Sequence, residues 1–272
     1  MPHTLAAVRE AVERLWPLSG AESWDAPGLV SGDPDETIDT VLLAVDAVGD
    51  TVDEAIEADA DLLLVHHPLL LRGVTSVAED RYKGALLARL IRANCALLAA
   101  HTNADVVSDG VSSVIANRLG LLDVSPIVPA KDGVTGIGRV GVLPQPISLG
   151  HLARELAEIL PPTAGGVRVA GDYNQSVHRV ALCGGAGDSL LSADAVTGSD
   201  VYITADLRHH PASEAREQAR IGRGPALIDV SHWASEWLWL ETAARQLTEA
   251  LPGLTVTVSE TRTDPWDFAV VQ

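Results

Sequence analysis

The chain has 272 residues, with 19 Lys and Arg against 37 Asp and Glu, and a formal net charge of −18. A surface this acidic repels phosphate backbones and anionic lipid, which excludes non-specific nucleic-acid binding and membrane-surface binding. At 47% hydrophobic and 21% charged residues, the composition is that of a folded chain of one large domain or two small ones, not of a disordered one.

The first segment, residues 1–17, carries Leu5, Val8, Val12 and Leu15 at helical spacing, which predicts an amphipathic helix. It lacks the basic start and apolar middle of a signal peptide. A strand is predicted over 41–45, a helix around Val52, Ala55 and Ile56, a strand over 62–65, a helix over 82–93 and a strand over 96–100. Pro126, Pro129, Pro144 and Pro146 then punctuate the chain. They put a boundary near residues 126–132, giving an N-terminal α/β lobe, 1–128, and a C-terminal α/β lobe, 129–272. The second lobe opens with an inserted strand, helix and strand over 139–143, 149–160 and 167–170. Strands over 180–183, 201–204 and 226–230 follow, alternating with helices over 189–196 and 211–220.

This alternation predicts an α/β fold with largely parallel strands. The order of elements is the same in both halves. Asp61 and Asp200 each open the middle strand of their unit, 21 residues after Thr40 and Arg179. Either the halves are two related lobes from an internal duplication, or any two βαβ units look this much alike. No apolar run reaches the ~18 residues of a membrane helix. The two cysteines, Cys95 and Cys183, lie in apolar strand-like runs and read as reduced core residues of a cytoplasmic protein.

Six of the nine histidines fall in four short motifs. These are Val65-His66-His67-Pro68, His101-Thr102-Asn103-Ala104-Asp105, Asp206-Leu207-Arg208-His209-His210 and Ser231-His232-Trp233-Ala234-Ser235-Glu236. Each follows a predicted strand, and the carboxyl ends of strands are where open α/β sheets bind ligands. His232 and Glu236 are one helical turn apart, so imidazole and carboxylate share a face and suit a divalent Zn, Mn or Fe ion. Adjacent His66 and His67 diverge from an extended strand, and each suits a different ion. Two ions bridged by a carboxylate and a water would use His66, His67, Asp105, His232 and Glu236.

Each residue also has an ordinary structural reading. His232 could be a packed or capping histidine, Asp105 an N-cap for a helix beginning near Val111, and His101 a ligand, a ligand's supporting partner or a core residue. Support for a ligand is the reading we favour for His101. His209 and His210 read as surface residues at a helix start, which leaves Asp206 as the better candidate in that motif. The run Gly184-Gly185-Ala186-Gly187-Asp188 could cradle a phosphate or form a plain tight turn. There is no Walker loop, dinucleotide fingerprint or Gly-x-Ser-x-Gly elbow.

Residues 61–68, 101–105 and 231–236 resemble the three signature motifs of the GTP cyclohydrolase 1 type 2 homologue family, also called the Ngg-interacting-factor-three family. Trp24-Asp25, Gly28-Leu29 and Gly32 resemble its N-terminal turn, and Gly138-Arg139-Val140-Gly141 with residues 183–187 its middle, so the similarity spans nearly the whole chain. The resemblance implies two α/β lobes with a two-metal cleft at strand C-terminal ends. His66 and Asp105 would bind one ion, His67 and His232 the other, and Glu236 would bridge. It implies a ring-shaped homohexamer, a trimer of dimers, with its sites facing an internal cavity. It also implies hydrolysis of a small molecule: opening of the purine ring of GTP with loss of formate, or cleavage of a nucleotide or phosphoester.

Glu236, His101, Asp206 and His209 are then candidates for catalysis and proton transfer, and Arg208 and Arg72 for gripping phosphate. A non-catalytic metal-binding scaffold or metal-insertion partner is the alternative. The chain departs from the family pattern at Ala26-Pro27, Ala104, Ala205, Ser231 and Trp233, and none of these changes removes a ligand.

Overall fold

The apolar runs become the inner strands of two sheets. In the computed structural model, which describes residues 2–270, the chain divides into two units. Met1, where the first predicted helix was begun, and residues 271–272, where the second lobe was ended, lie outside the described residues. One unit is Met1–Val107 with Trp239–Thr263; the other is Ser108–Leu238 with Asp264–Gln272.

The first unit holds a sheet in the order Thr255–Val258, Thr40–Ala44, Leu62–Val65, Ala96–Ala99, Gly28–Ser31. The first four strands are parallel, and Gly28–Ser31 lies antiparallel at the edge. Leu62–Val65 and Ala96–Ala99 are buried at every position, as parallel strands covered on both faces must be. Leu63, Val65, Leu97 and Ala99 pack with Leu42, Val52, Leu86 and Leu90 into one core, closed by the helices Gly49–Glu57 and Tyr82–Arg92. The predicted first helix is Leu5–Leu15; the Thr4 hydroxyl caps it by accepting from the Ala7 N–H at 3.2 Å.

The second unit holds a sheet in the order Arg168–Ala170, Ala226–Val230, Val201–Ala205, Ser176–Ala186, Arg139–Ser148, Leu122–Ser125. The three strands from Ala226–Val230 to Ser176–Ala186 are parallel and the outer ones antiparallel. Tyr202, Ala181, Leu227 and Val140 form its core.

The two sheets repeat a plan. In each, a strand that precedes three successive parallel strands of the chain returns to pair antiparallel with the last of the three: Gly28–Ser31 with Ala96–Ala99, and Arg168–Ala170 with Ala226–Val230. The aspartate that opens the middle strand does the same work in both. Asp61 Oδ2 accepts from the N–H groups of Asp39 and Thr40 at 2.8 and 2.9 Å. Asp200 Oδ2 accepts from those of His178 and Arg179, both at 2.8 Å. A general likeness of βαβ units would not reproduce that clamp, and duplication accounts for it.

Three differences from expectation have physical causes. The strand Thr255–Val258 pairs with Thr40–Ala44, so the first unit takes its last strand from the end of the chain and the units do not divide at 128/129. The helix predicted over 189–196 is a 3-10 turn, Asp188–Leu190, and a short helix, Asp194–Thr197; Leu190 and Val196 pack inward regardless. The edge strands Gly28–Ser31 and Leu122–Ser125 went unpredicted because neither carries a buried residue.

Replacing Asp61 or Asp200 with Ala leaves two strand N–H groups to water. Each change should lower the unfolding free energy by about 1 kcal/mol, read from urea denaturation. Parent-like stability in both variants would mean that the clamps hold nothing.

Candidate metal centre

His66 and His67 leave the strand Leu62–Val65 at its carboxyl end, between two parallel neighbours. Their rings lie 5.2 Å apart, and each finds a partner beyond a different neighbouring strand. His66 Nδ1 lies 2.8 Å from the carbonyl oxygen of Ala100, just past Ala96–Ala99. A carbonyl only accepts, so Nδ1 carries the proton and Nε2 carries the lone pair. Nε2 lies 3.6 Å from Asp105 Oδ1, and the His66 side chain is wholly buried. His67 Nδ1 lies 2.7 Å from Asp46 Oδ1, just past Thr40–Ala44. The other Asp46 oxygen accepts from the Thr263 hydroxyl at 2.5 Å.

His101 repeats the arrangement. Its Nδ1 lies 2.7 Å from Asp25 Oδ1, and Asp25 Oδ2 accepts from Thr102 N–H at 3.0 Å and its hydroxyl at 2.5 Å. Asn103 holds the turn, accepting from the His101 N–H and donating to the Trp16 carbonyl. Burial works against the Asp25 carboxylate, yet hydrogen bonds from Thr102 and His101 bring its pKa below the usual range. Burial and neighbouring His66 push the His101 pKa down to about 4 against the pull of Asp25, so this imidazole is neutral. His66, His67 and His101 each offer a ring nitrogen within 4.8 Å of the other two, a group that could hold a metal ion.

In the second unit the strand Ala226–Val230 runs into the helix His232–Ala250. His232 Nδ1 lies 2.7 Å from Asp206 Oδ2, and its Nε2 lies 2.9 Å from Glu236 Oε1. Glu236, 3% exposed, is no ordinary surface helix residue. Burial works against the His232 imidazolium, but Glu236 and Asp206 outweigh it and take the pKa up to about 11. Carboxylates that hold a proton this firmly would also compensate a metal cation, so the donor set fits a divalent ion.

The glycine run is explained here as well. Gly185 has φ +68°, and a Cβ on it would stand 2.5 Å from Glu236 Oε1 and 3.3 Å from His232 Nε2. Only a glycine fits under this pair. The Gly184 and Gly185 N–H groups donate to the hydroxyls of Ser112 and Ser235 at 3.1 and 2.9 Å, so neither is directed at a phosphate.

Asp105 ends the short helix Thr102–Asp105, and Gly110, not Asp105, precedes the helix Val111–Arg118. Arg208 is committed to Asp188, Arg72 is exposed, and His209 and His210 begin the helix His209–Arg220 with their rings 5.2 Å apart. Burial raises the Cys95 thiol to about 12, in keeping with a core residue. Sequence reasoning gave no role to Asp46, placed Asp25 only in the N-terminal turn, and read Gly185 only as part of a phosphate cradle or tight turn. The only signals were an acid beyond a strand end, an acid in the N-terminal turn, and a glycine-rich turn after a strand.

Two α/β units of one plan, with imidazoles and carboxylates at their strand ends that could hold a cation, define the class of protein. The chain belongs to the Duf34/NIF3 (NGG1p interacting factor 3) family, which it matches over residues 3–265. It is 49% identical to a Streptomyces coelicolor protein named GTP cyclohydrolase 1 type 2 homolog, over 96% of this chain and 93% of the relative. A Mycobacterium leprae protein of the same name is 36% identical over 98% and 96%. Among solved structures, a Staphylococcus aureus hypothetical protein superposes with a TM-score of 0.88 at 28% identity, over 99% of this chain and 100% of that one. A Bacillus cereus protein related to NIF3 gives 0.89 at 22% identity, covering 98% and 99%, and supports the fold.

Two substitutions test the support of these side chains. Asp46→Ala removes the acceptor that fixes His67 and should weaken Zn binding about 10–100-fold, with little change in melting temperature. Gly185→Ala should displace Glu236 and lower metal uptake in the same assay, whereas Gly133→Ala, in an open turn that also has positive φ, should not. Parent-like Zn affinity in both Asp46→Ala and Gly185→Ala would contradict the geometry's role.

Proposed function

We propose that the protein is a hydrolase working with two divalent metal ions, Zn, Fe or Mn, held by His66, His67, Asp105, His232 and Glu236. One observation supports the reading above others: His66, His67, His101 and His232 each have Nδ1 engaged by an acceptor, so that Nε2 is the ring nitrogen that would meet a metal. Metal-binding histidines are held in this way. As the family resemblance implies, His66 and Asp105 would hold one ion, His67 and His232 the other, and Glu236 would serve both.

When bound, such ions lower the pKa of a water and polarise the bond under attack. The chain's own residues divide the remaining work. Asp46 and Asp206 keep the rings of His67 and His232 in one tautomer and one orientation. Neutral His101, held by Asp25, takes up a proton at Nε2 and passes it on. Glu236 compensates the charge of both ions, and Asp206 adds to it.

The substrate is a small molecule, a nucleotide or another phosphoester. The name carried by the relatives points to GTP, opened at its purine ring with loss of formate. The protein works in the cytoplasm as a homohexamer, a trimer of dimers. Among the described residues, no helix is long and apolar enough to cross a membrane.

The test is a nucleotide screen with metal content measured on the same sample. Protein prepared without chelator should carry close to two divalent ions per chain, and Glu236→Gln should lose both occupancy and at least about 10²-fold in turnover. Full occupancy in Glu236→Gln would remove the bridging role. Two bound ions with no turnover of any nucleotide or phosphoester would favour the non-catalytic metal-binding scaffold.

A further inference from the structure

The helix His209–Arg220 has no buried residue and rests against the second unit's sheet through Ala212 and Ala215. Two methyl groups fill little of the roughly 10 Å that separates packed layers. A cavity of about 430 Å³ remains, with Ala170, Leu207, Ala212 and Leu227 among its apolar lining. That size falls in the range of small-molecule pockets.

The charged groups of this cavity are unusual for so acidic a chain. Arg168, Arg216 and His209 line it, and Asp229 is the one acid beside them. Asp229, 7% exposed, is already satisfied: one oxygen pairs with Arg168 and the other accepts the Leu207 N–H at 2.9 Å. Arg216 has no hydrogen bond or ion pair among the described residues, although 37 acidic side chains are available in the chain. An arginine fork with no carboxylate partner, set against an apolar floor, matches an anion that carries an apolar body.

We propose that this cavity binds a small organic anion, its phosphate or carboxylate head on Arg216 with Arg168 and His209 beside it, and its apolar body on Ala170, Leu207 and Leu227. The site uses none of the proposed metal ligands and stands whether or not the chain is a hydrolase.

Calorimetric titration of the full chain with phenyl phosphate, benzoate and neutral benzyl alcohol tests it. At least one of the two anions should bind with a dissociation constant below about 1 mM, and which one binds identifies the head group. Benzyl alcohol should bind at least tenfold more weakly. Arg216→Gln should weaken the anion at least tenfold, and Glu236→Gln should leave its affinity unchanged. Ala212→Leu fills the cavity without touching a charge and should also abolish binding, so it carries the test if Arg216→Gln folds poorly. The proposal is overturned if neither anion binds, if benzyl alcohol binds equally well, or if folded Arg216→Gln or Ala212→Leu binds like the parent. Loss of the anion in Glu236→Gln would equally overturn it, by assigning the anion to the metal ligands.

Discussion

An imidazole has one lone pair to offer a metal, and the partner of its other nitrogen decides which nitrogen offers it. The arrangement of both sheets can be traced to that constraint. His66 and His67 are adjacent in sequence, and past the end of their strand the turn brings their rings to 5.2 Å, each still needing its own acceptor. The parallel register supplies an acceptor on either flank: the Ala100 carbonyl beyond one neighbouring strand and the Asp46 carboxylate beyond the other. The backbone fixes the distances, since the His66 N–H donates to the Ala44 carbonyl at 3.1 Å and the Ala100 N–H to the Val65 carbonyl at 2.9 Å. The order of strands therefore sets the tautomers, and through them the chemistry open to the side chains.

Duplication adds a second constraint. His67 and Asp206 stand at the same remove from the clamping aspartates, Asp61 and Asp200. In one unit that position holds an imidazole with its own carboxylate support; in the other it holds a carboxylate that supports the imidazole of His232. One structural position thus carries a donor in one copy and a donor's support in the other. Asp206 accepts a left-handed backbone conformation, φ +57°, to do so.

Most inner strands were legible because each is a short apolar run ended by a turn, and such runs give up their position within a residue or so; Ser176–Ala186 runs several residues beyond the predicted 180–183 at both ends. The histidine motifs were legible because residue types that bind metals collected after those runs. Asp46 and Asp25 were not, because a lone acid in a turn has no periodicity and becomes informative only once the histidine it faces is known. Gly185 escaped for the opposite reason: glycines after a strand have a familiar phosphate-binding reading, and only the Glu236 carboxylate above it explains the bare Cα. The edge strands and the return of Thr255–Val258 depend on pairing partners far along the chain, which local pattern does not encode.

That returning strand bears on how the molecule is made. During synthesis, the second unit's sheet has all its strands once Val230 has emerged, whereas the first sheet waits for Val258. Until then Thr40–Ala44, four of whose five residues are buried in the finished fold, presents an open edge of hydrogen-bonding groups. Such an edge is a template for pairing with another nascent chain. The unit that begins first is therefore completed last, and its period of greatest exposure to aggregation spans translation of the entire second sheet.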